Sequence, residues 1–202
     1  MLKIAVLVSG GGTNLQALID AQNTGIIKSG KIDLVVSNKE DAYALTRAQN
    51  SGIESVVIAK DNFDSDLIRL LKDRRIDLIV LAGFMVILSE KFVSEFKNKI
   101  INVHPSLIPS FCGMGYYGLN VHKAVLEYGT KLTGATVHFV SDGADEGEII
   151  LQKSIEVLHS DTPEILQKRV MQQCEWDILP KAVELFCAGK LSIKNRTVII
   201  KE

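Results

Sequence analysis

The run Asn102-Val103-His104-Pro105 holds residue types that can stabilise charge and move a proton. Alternate residues of a strand share a face, so Asn102 and His104 are expected to project together while Ile101 and Val103 point into packing. Pro105 favours extended geometry at His104. Taken alone, a histidine after a strand is more often structural. A second candidate is Gly10-Gly11-Gly12-Thr13-Asn14. Glycines let a backbone approach a ligand, and the free N–H groups and dipole of a following helix favour an anion, with phosphate the obvious guest. The run lacks the third glycine of a dinucleotide fingerprint and the lysine of a P-loop, and a tight turn with a polar cap remains the plain alternative. Asp142 and Asp145 stand in the turn Ser141–Gly147, where acidic residues are expected as turn formers in any case.

The elements that must position these groups alternate. Strand signals lie at 3–8, 32–36, 57–59, 76–81 and 100–103, and helical patterns fall between them. Continuous apolar strands separated by helices predict a parallel sheet covered on both faces, hence an α/β, doubly wound, mostly parallel sheet. In that architecture ligands bind beyond the C-terminal ends of the strands. The glycine loop, Gly83-Phe84-Met85 and His104 all leave their strands at that edge, so three loops should converge on one crevice. After residue 103 the rhythm changes. A long glycine-bearing loop at 104–118 precedes a helix at 120–128, and strands at 133–140 and 149–157 are expected to pair antiparallel. Thr162-Pro163 reads as a helix start. That helix should run toward Cys187 with a bend at Pro180, and a small hairpin around Lys194-Asn195 should finish the chain.

Bulk properties exclude several classes. The 202 residues are 47% hydrophobic and carry 23 basic against 24 acidic groups, a net charge of −1. No basic face points to nucleic acid, and no apolar run approaches the roughly 20 residues of a membrane helix. Three cysteines without CxxC spacing argue against a disulfide framework or structural zinc. No targeting segment is evident. With no repeat or linker, residues 1–202 read as one cytoplasmic domain.

Together, SGGGTN, LAGFM, NVHPSLIP, TGATVHFV and DEGEIILQ resemble the phosphoribosylglycinamide formyltransferases, in order and over nearly the whole chain. The resemblance implies a Rossmann-like formyltransferase fold. It also implies transfer of a formyl group from 10-formyltetrahydrofolate, a co-substrate rather than a bound cofactor, to the amine of glycinamide ribonucleotide in purine synthesis, without a metal. On this resemblance Asn102, His104 and Asp145 match the catalytic residues. Gly12, Thr13 and Asn14 match the phosphate-binding segment, and Glu175 matches an acidic residue that contacts the glycinamide substrate. Met85, Val86, Ile87 and Leu88 match the stretch lining the folate pocket, with Asn102 beside it, and the turn around Asp142 would offer the pterin backbone partners. Asn102 and a protonated His104 would donate to the formyl oxygen, with Asp145 favouring the imidazolium.

The chain also departs from the family pattern. Val86 and Asp66 stand where arginines are common, the segment after Ser65 is short, and the loop Phe111–Asn120 is long. Rival readings are a formyl-folate hydrolase, a methionyl-tRNA or sugar-amine formyltransferase, and a nucleotide-binding regulator that has lost catalysis. His138 reads as a core or supporting group, and His122 and His159 have no special context. A thiol nucleophile at Cys112 is a remote alternative.

Overall fold

The computed structural model describes residues 1–58 and 63–201. Seven strands form one sheet in the order β3-β2-β1-β4-β5-β6-β7. These are β1 Leu2–Val8, β2 Gly30–Ser37, β3 Glu54–Val57, β4 Leu78–Leu81, β5 Ile100–His104, β6 Leu132–Phe139 and β7 Ile149–Glu156. The first five run parallel, as the unbroken apolar runs predict. β6 then reverses, pairing antiparallel with β5 and with β7. A two-stranded hairpin, β8 Leu191–Lys194 and β9 Thr197–Ile200, stands apart. The third strand is expected at 57–59 but is found at Glu54–Val57, and Ala59 lies outside the described residues.

The helices are α1 Thr13–Asn23, α2 Tyr43–Asn50, α3 Phe63–Asp73, α4 Glu90–Glu95, α5 Leu119–Tyr128, α6 Pro163–Val170 and α7 Trp176–Cys187. One buried cluster packs Val6, Ile101, Val103 and Val137 against Leu15, Val125, Leu166 and Val183 of α1, α5, α6 and α7. A second, on the other side, packs Leu7, Ile79 and Ile100 against Leu67, Leu71 and Phe92 of α3 and α4. This two-sided covering explains why the parallel strands are apolar throughout. None of the helices described is long and apolar enough to cross a membrane.

Two local features shape the site. Thr162 caps α6 by accepting from the Ile165 N–H, with Pro163 in the first turn, as expected. The helical run toward Cys187, however, is interrupted not at Pro180, which lies inside α7, but at a π-helical turn, Met171–Glu175. A π-turn inserts a residue into the helical repeat and rotates the helix beyond it, a device frequent at functional sites.

Candidate active site

The glycine loop owes its shape to packing against α2. Gly12 has φ 68°, and a Cβ there would sit 2.6 Å from the Ala44 Cβ, so both backbone and space require glycine. The Gly10 carbonyl accepts from the Ala44 N–H at 3.0 Å. Arg47 Nε donates to the Gly11 carbonyl at 2.8 Å. No side chain caps α1 and no acidic residue stands in its first turn. Its first N–H groups therefore remain available to an anion, and the helix dipole favours one.

The π-turn delivers Glu175 to this loop. Asn14 Nδ2 donates to Glu175 Oε2 at 2.7 Å, joining residues 161 positions apart. Burial pushes the Glu175 carboxyl up, with the Asn14 amide opposing. A buried carboxyl of this kind favours a ligand that brings it an N–H or O–H donor.

β5 and β6 present the second half. Asn102 and His104 share the face opposite Ile101 and Val103, and they pair in register with His138 and Thr136. Residues of the loops at 105–118 and 141–147 line the same cleft as these polar side chains. Asp145 lies between two histidines, with Oδ2 3.4 Å from His104 Nδ1 and Oδ1 3.6 Å from His138 Nε2. It also accepts the Gly113 N–H at 2.9 Å. Asp145 adopts φ 60°, an uncommon conformation for a residue with a side chain. Its turn is held closely. A Cβ on Gly147 would lie 1.7 Å from the Phe139 carbonyl oxygen. Arg196, from the tip of the β8–β9 hairpin, donates to the Glu146 carbonyl at 2.7 Å.

The electrostatics separate the pair. Burial works to raise the Asp145 carboxyl, but His104 and the Gly113 N–H help hold it below the usual aspartate value. For His104 burial is the largest influence and lowers its pKa, against the upward pull of Asp145 and the Phe111 carbonyl. Asp145 thus favours the imidazolium, as expected, but desolvation outweighs it and the net shift of His104 is downward. Nε2 lies 2.9 Å from the Phe111 carbonyl oxygen, so the single proton of the neutral ring has an acceptor there. Cys112 is no thiolate. Burial, with Asp145 and Glu146 nearby, pushes its thiol up.

Both halves open onto one cleft of about 620 Å³. Its lining includes Thr13, Asn14 and Glu175 together with Asn102, His104 and Asp145, and also Met85, Val86 and Ile87. Three expected residues stand elsewhere. Gly12 shapes the loop without lining the cleft, Leu88 packs against the second core cluster, and Asp142 is exposed and outside the lining. The Met85 N–H is anchored to Ser9 Oγ at 2.9 Å, which fixes that residue to the end of β1. His122, Gln167 and Met171 also line the cleft, although no local pattern marks them. Only the packing of α5 against α6 brings them there.

The comparisons agree with this geometry. The family model described as formyl transferase matches residues 2–183. The chain is 42% identical over 201 residues to the phosphoribosylglycinamide formyltransferase of Haemophilus influenzae, covering 96% of this chain and 92% of that one. It is 41% identical over 198 residues to the Escherichia coli protein of the same name, covering 95% and 90%. The crystal structure of glycinamide ribonucleotide transformylase 1 from Symbiobacterium toebii superposes with a TM-score of 0.93 at 40% identity, over 100% of this chain and 95% of that one. With a seven-stranded sheet whose fifth strand and a following turn bring an asparagine, a histidine and an aspartate into one cleft, this chain belongs to the formyl transferase family.

Proposed function

We propose that this chain transfers the formyl group of 10-formyltetrahydrofolate to the amine of 5-phosphoribosyl-glycinamide, yielding formylglycinamide ribonucleotide for purine synthesis. The observation that carries the reading is the shared cleft, in which an uncapped helix N-terminus suited to a phosphate opens onto the same space as Asn102, His104 and Asp145.

The ribotide phosphate sits at the first turn of α1, beside Thr13 and Asn14, while Glu175 takes a donor from the rest of the substrate. The folate lies along Met85, Val86 and Ile87. Val86 brings no charge to that wall, so an anionic folate tail is held by other groups. The amine nitrogen attacks the formyl carbon, and negative charge develops on the formyl oxygen. Asn102 Nδ2 donates to that oxygen, an interaction whose removal typically costs about 10²–10³ in rate. Once His104 turns from the Phe111 carbonyl, its proton moves to Nδ1 beside Asp145 and leaves Nε2 bare toward the substrate; when Nε2 is protonated in turn, it is the second donor to the oxygen. The attacking nitrogen becomes acidic as its bond forms, and its proton passes to His104, with ionised Asp145 stabilising the imidazolium. The C–N bond to the folate then breaks. His104 returns the proton to the departing nitrogen, leaving the formamide and the reduced folate.

The test is an assay of formyl transfer with both substrates, with His104→Ala run alongside. Formylated ribotide from wild type, lost in a folded variant, supports the reading. Release of formate without formylated ribotide would replace it with the hydrolase.

A further inference from the structure

Three histidines are buried, and two of them are fully engaged. His104 meets Phe111 and Asp145, and His138 meets Phe139 and Asn102. The third, His122 on α5, has 0% exposure, and neither ring nitrogen has a hydrogen-bond partner among the described residues. An unmet buried donor costs about 1–3 kcal/mol, so a fold that keeps one calls for an explanation. Asn14 Oδ1 is in the same condition, and it too belongs to a residue lining the cleft. Trp176 Nε1 also lacks a partner, but Trp176 is not among the lining residues.

We propose that His122, on α5, is a further ribotide-binding residue, hydrogen-bonding a ribose hydroxyl. The inference rests on the ribotide reading above and adds a contact to it. Burial pushes the His122 pKa down to about 4, so near neutrality the ring is uncharged, with one N–H donor and one bare nitrogen. That makes it a poor phosphate clamp and a good partner for a hydroxyl. Asn14 Oδ1 can only accept. A sugar with adjacent hydroxyls satisfies both, donating to the asparagine oxygen and accepting from the imidazole. Gln167, Met171 and Glu175 line the same cleft as His122.

The experiment compares wild type with His122→Phe, which retains bulk without hydrogen bonding, using the ribotide and its 2′- and 3′-deoxy analogues. In the variant, KM for the ribotide should rise about tenfold, equivalent to one hydrogen bond of about 1.4 kcal/mol, while KM for the formyl-folate stays within about twofold. Wild type should also discriminate against one deoxy analogue, and the variant should lose that discrimination. An unchanged ribotide KM in a folded variant, or an equal rise for both substrates, overturns the proposal. If the phenylalanine variant does not fold, His122→Asn, which is shorter and cannot span the same distance, carries the same comparison with the same two outcomes. Wild type that neither binds nor formylates the ribotide removes the underlying reading instead, and thermal shift with the ribotide alone distinguishes that case.

Discussion

Asn102 Nδ2 lies 3.2 Å from His138 Nε2, and this contact fixes which way the carboxamide faces. His138 Nδ1 lies 2.7 Å from the Phe139 carbonyl oxygen, so that nitrogen must carry the proton. Nε2 is then left with its lone pair and accepts from the amide. A free carboxamide would turn its oxygen toward a developing oxyanion as readily as its N–H groups. His138→Phe should therefore lower kcat by about tenfold or more, short of the roughly 10²–10³ expected for Asn102→Ala, while KM for the ribotide moves little. Steady-state kinetics on both variants check the order, and a His138 variant as active as wild type contradicts it.

Asp145→Asn keeps the shape of the turn but removes the charge beside His104. Since Asp145 raises the His104 pKa while burial lowers it, the variant should titrate still lower. Activity that needs a neutral His104 falls as pH drops, with an inflection below the ordinary histidine value in wild type and lower again in the variant. The rate at the plateau should drop by about 10²–10⁴, the range for lost acid–base assistance. A pH–kcat profile checks both parts, and an inflection that moves upward in Asp145→Asn would exclude the pairing.

His122 links stability to acidity. Its pKa is near 4 in the folded protein and about 6.5 unfolded, so between those values the unfolded chain binds the extra proton. Stability is then unpenalised above pH 6.5 and declines as pH falls to 4, by about 3 kcal/mol in total. His122→Asn, which does not titrate, should show a shallower loss over this window. Denaturant titrations at pH 7, 5.5 and 4 measure it, and parallel curves for the two proteins would refute it.

Gly147→Ala has no room. The added carbon would meet the Phe139 carbonyl oxygen at 1.7 Å, so the ends of β6 and β7 must separate and carry Asp145 with them. We expect a loss of about 1–3 kcal/mol, as for overpacked sites, and a fall in kcat larger than the change in either KM. A variant with wild-type kcat would show that the turn does not set the position of Asp145.

Much of this is legible in the residues because it is local. The alternation in Ile101-Asn102-Val103-His104 is enough to put the two polar groups on one face, and the apolar runs call for a parallel sheet. The reversal to β6 leaves no mark on β5 itself, and it is what brings His138 opposite Asn102. The π-turn escapes a 3.6-residue pattern for the same reason that it matters: it breaks the pattern, and Pro180, the visible helix breaker, stands beyond it inside α7. His122 sits between Val121 and Val125, both buried, and reads as one more inward position of an amphipathic helix. Its place in the cleft depends on α6, forty residues later along the chain. The upward pull of Asp145 on His104 is readable from the motif, whereas the desolvation that outweighs it is not.

The Asn14–Glu175 bond spans 161 positions, and it therefore sets a time as well as a place. During synthesis the glycine loop and its helix leave the ribosome 161 positions ahead of their carboxyl partner. The α1 end of the cleft is thus complete only when Glu175 has been made, and a nascent chain halted before residue 175 would carry Asn14 without its partner.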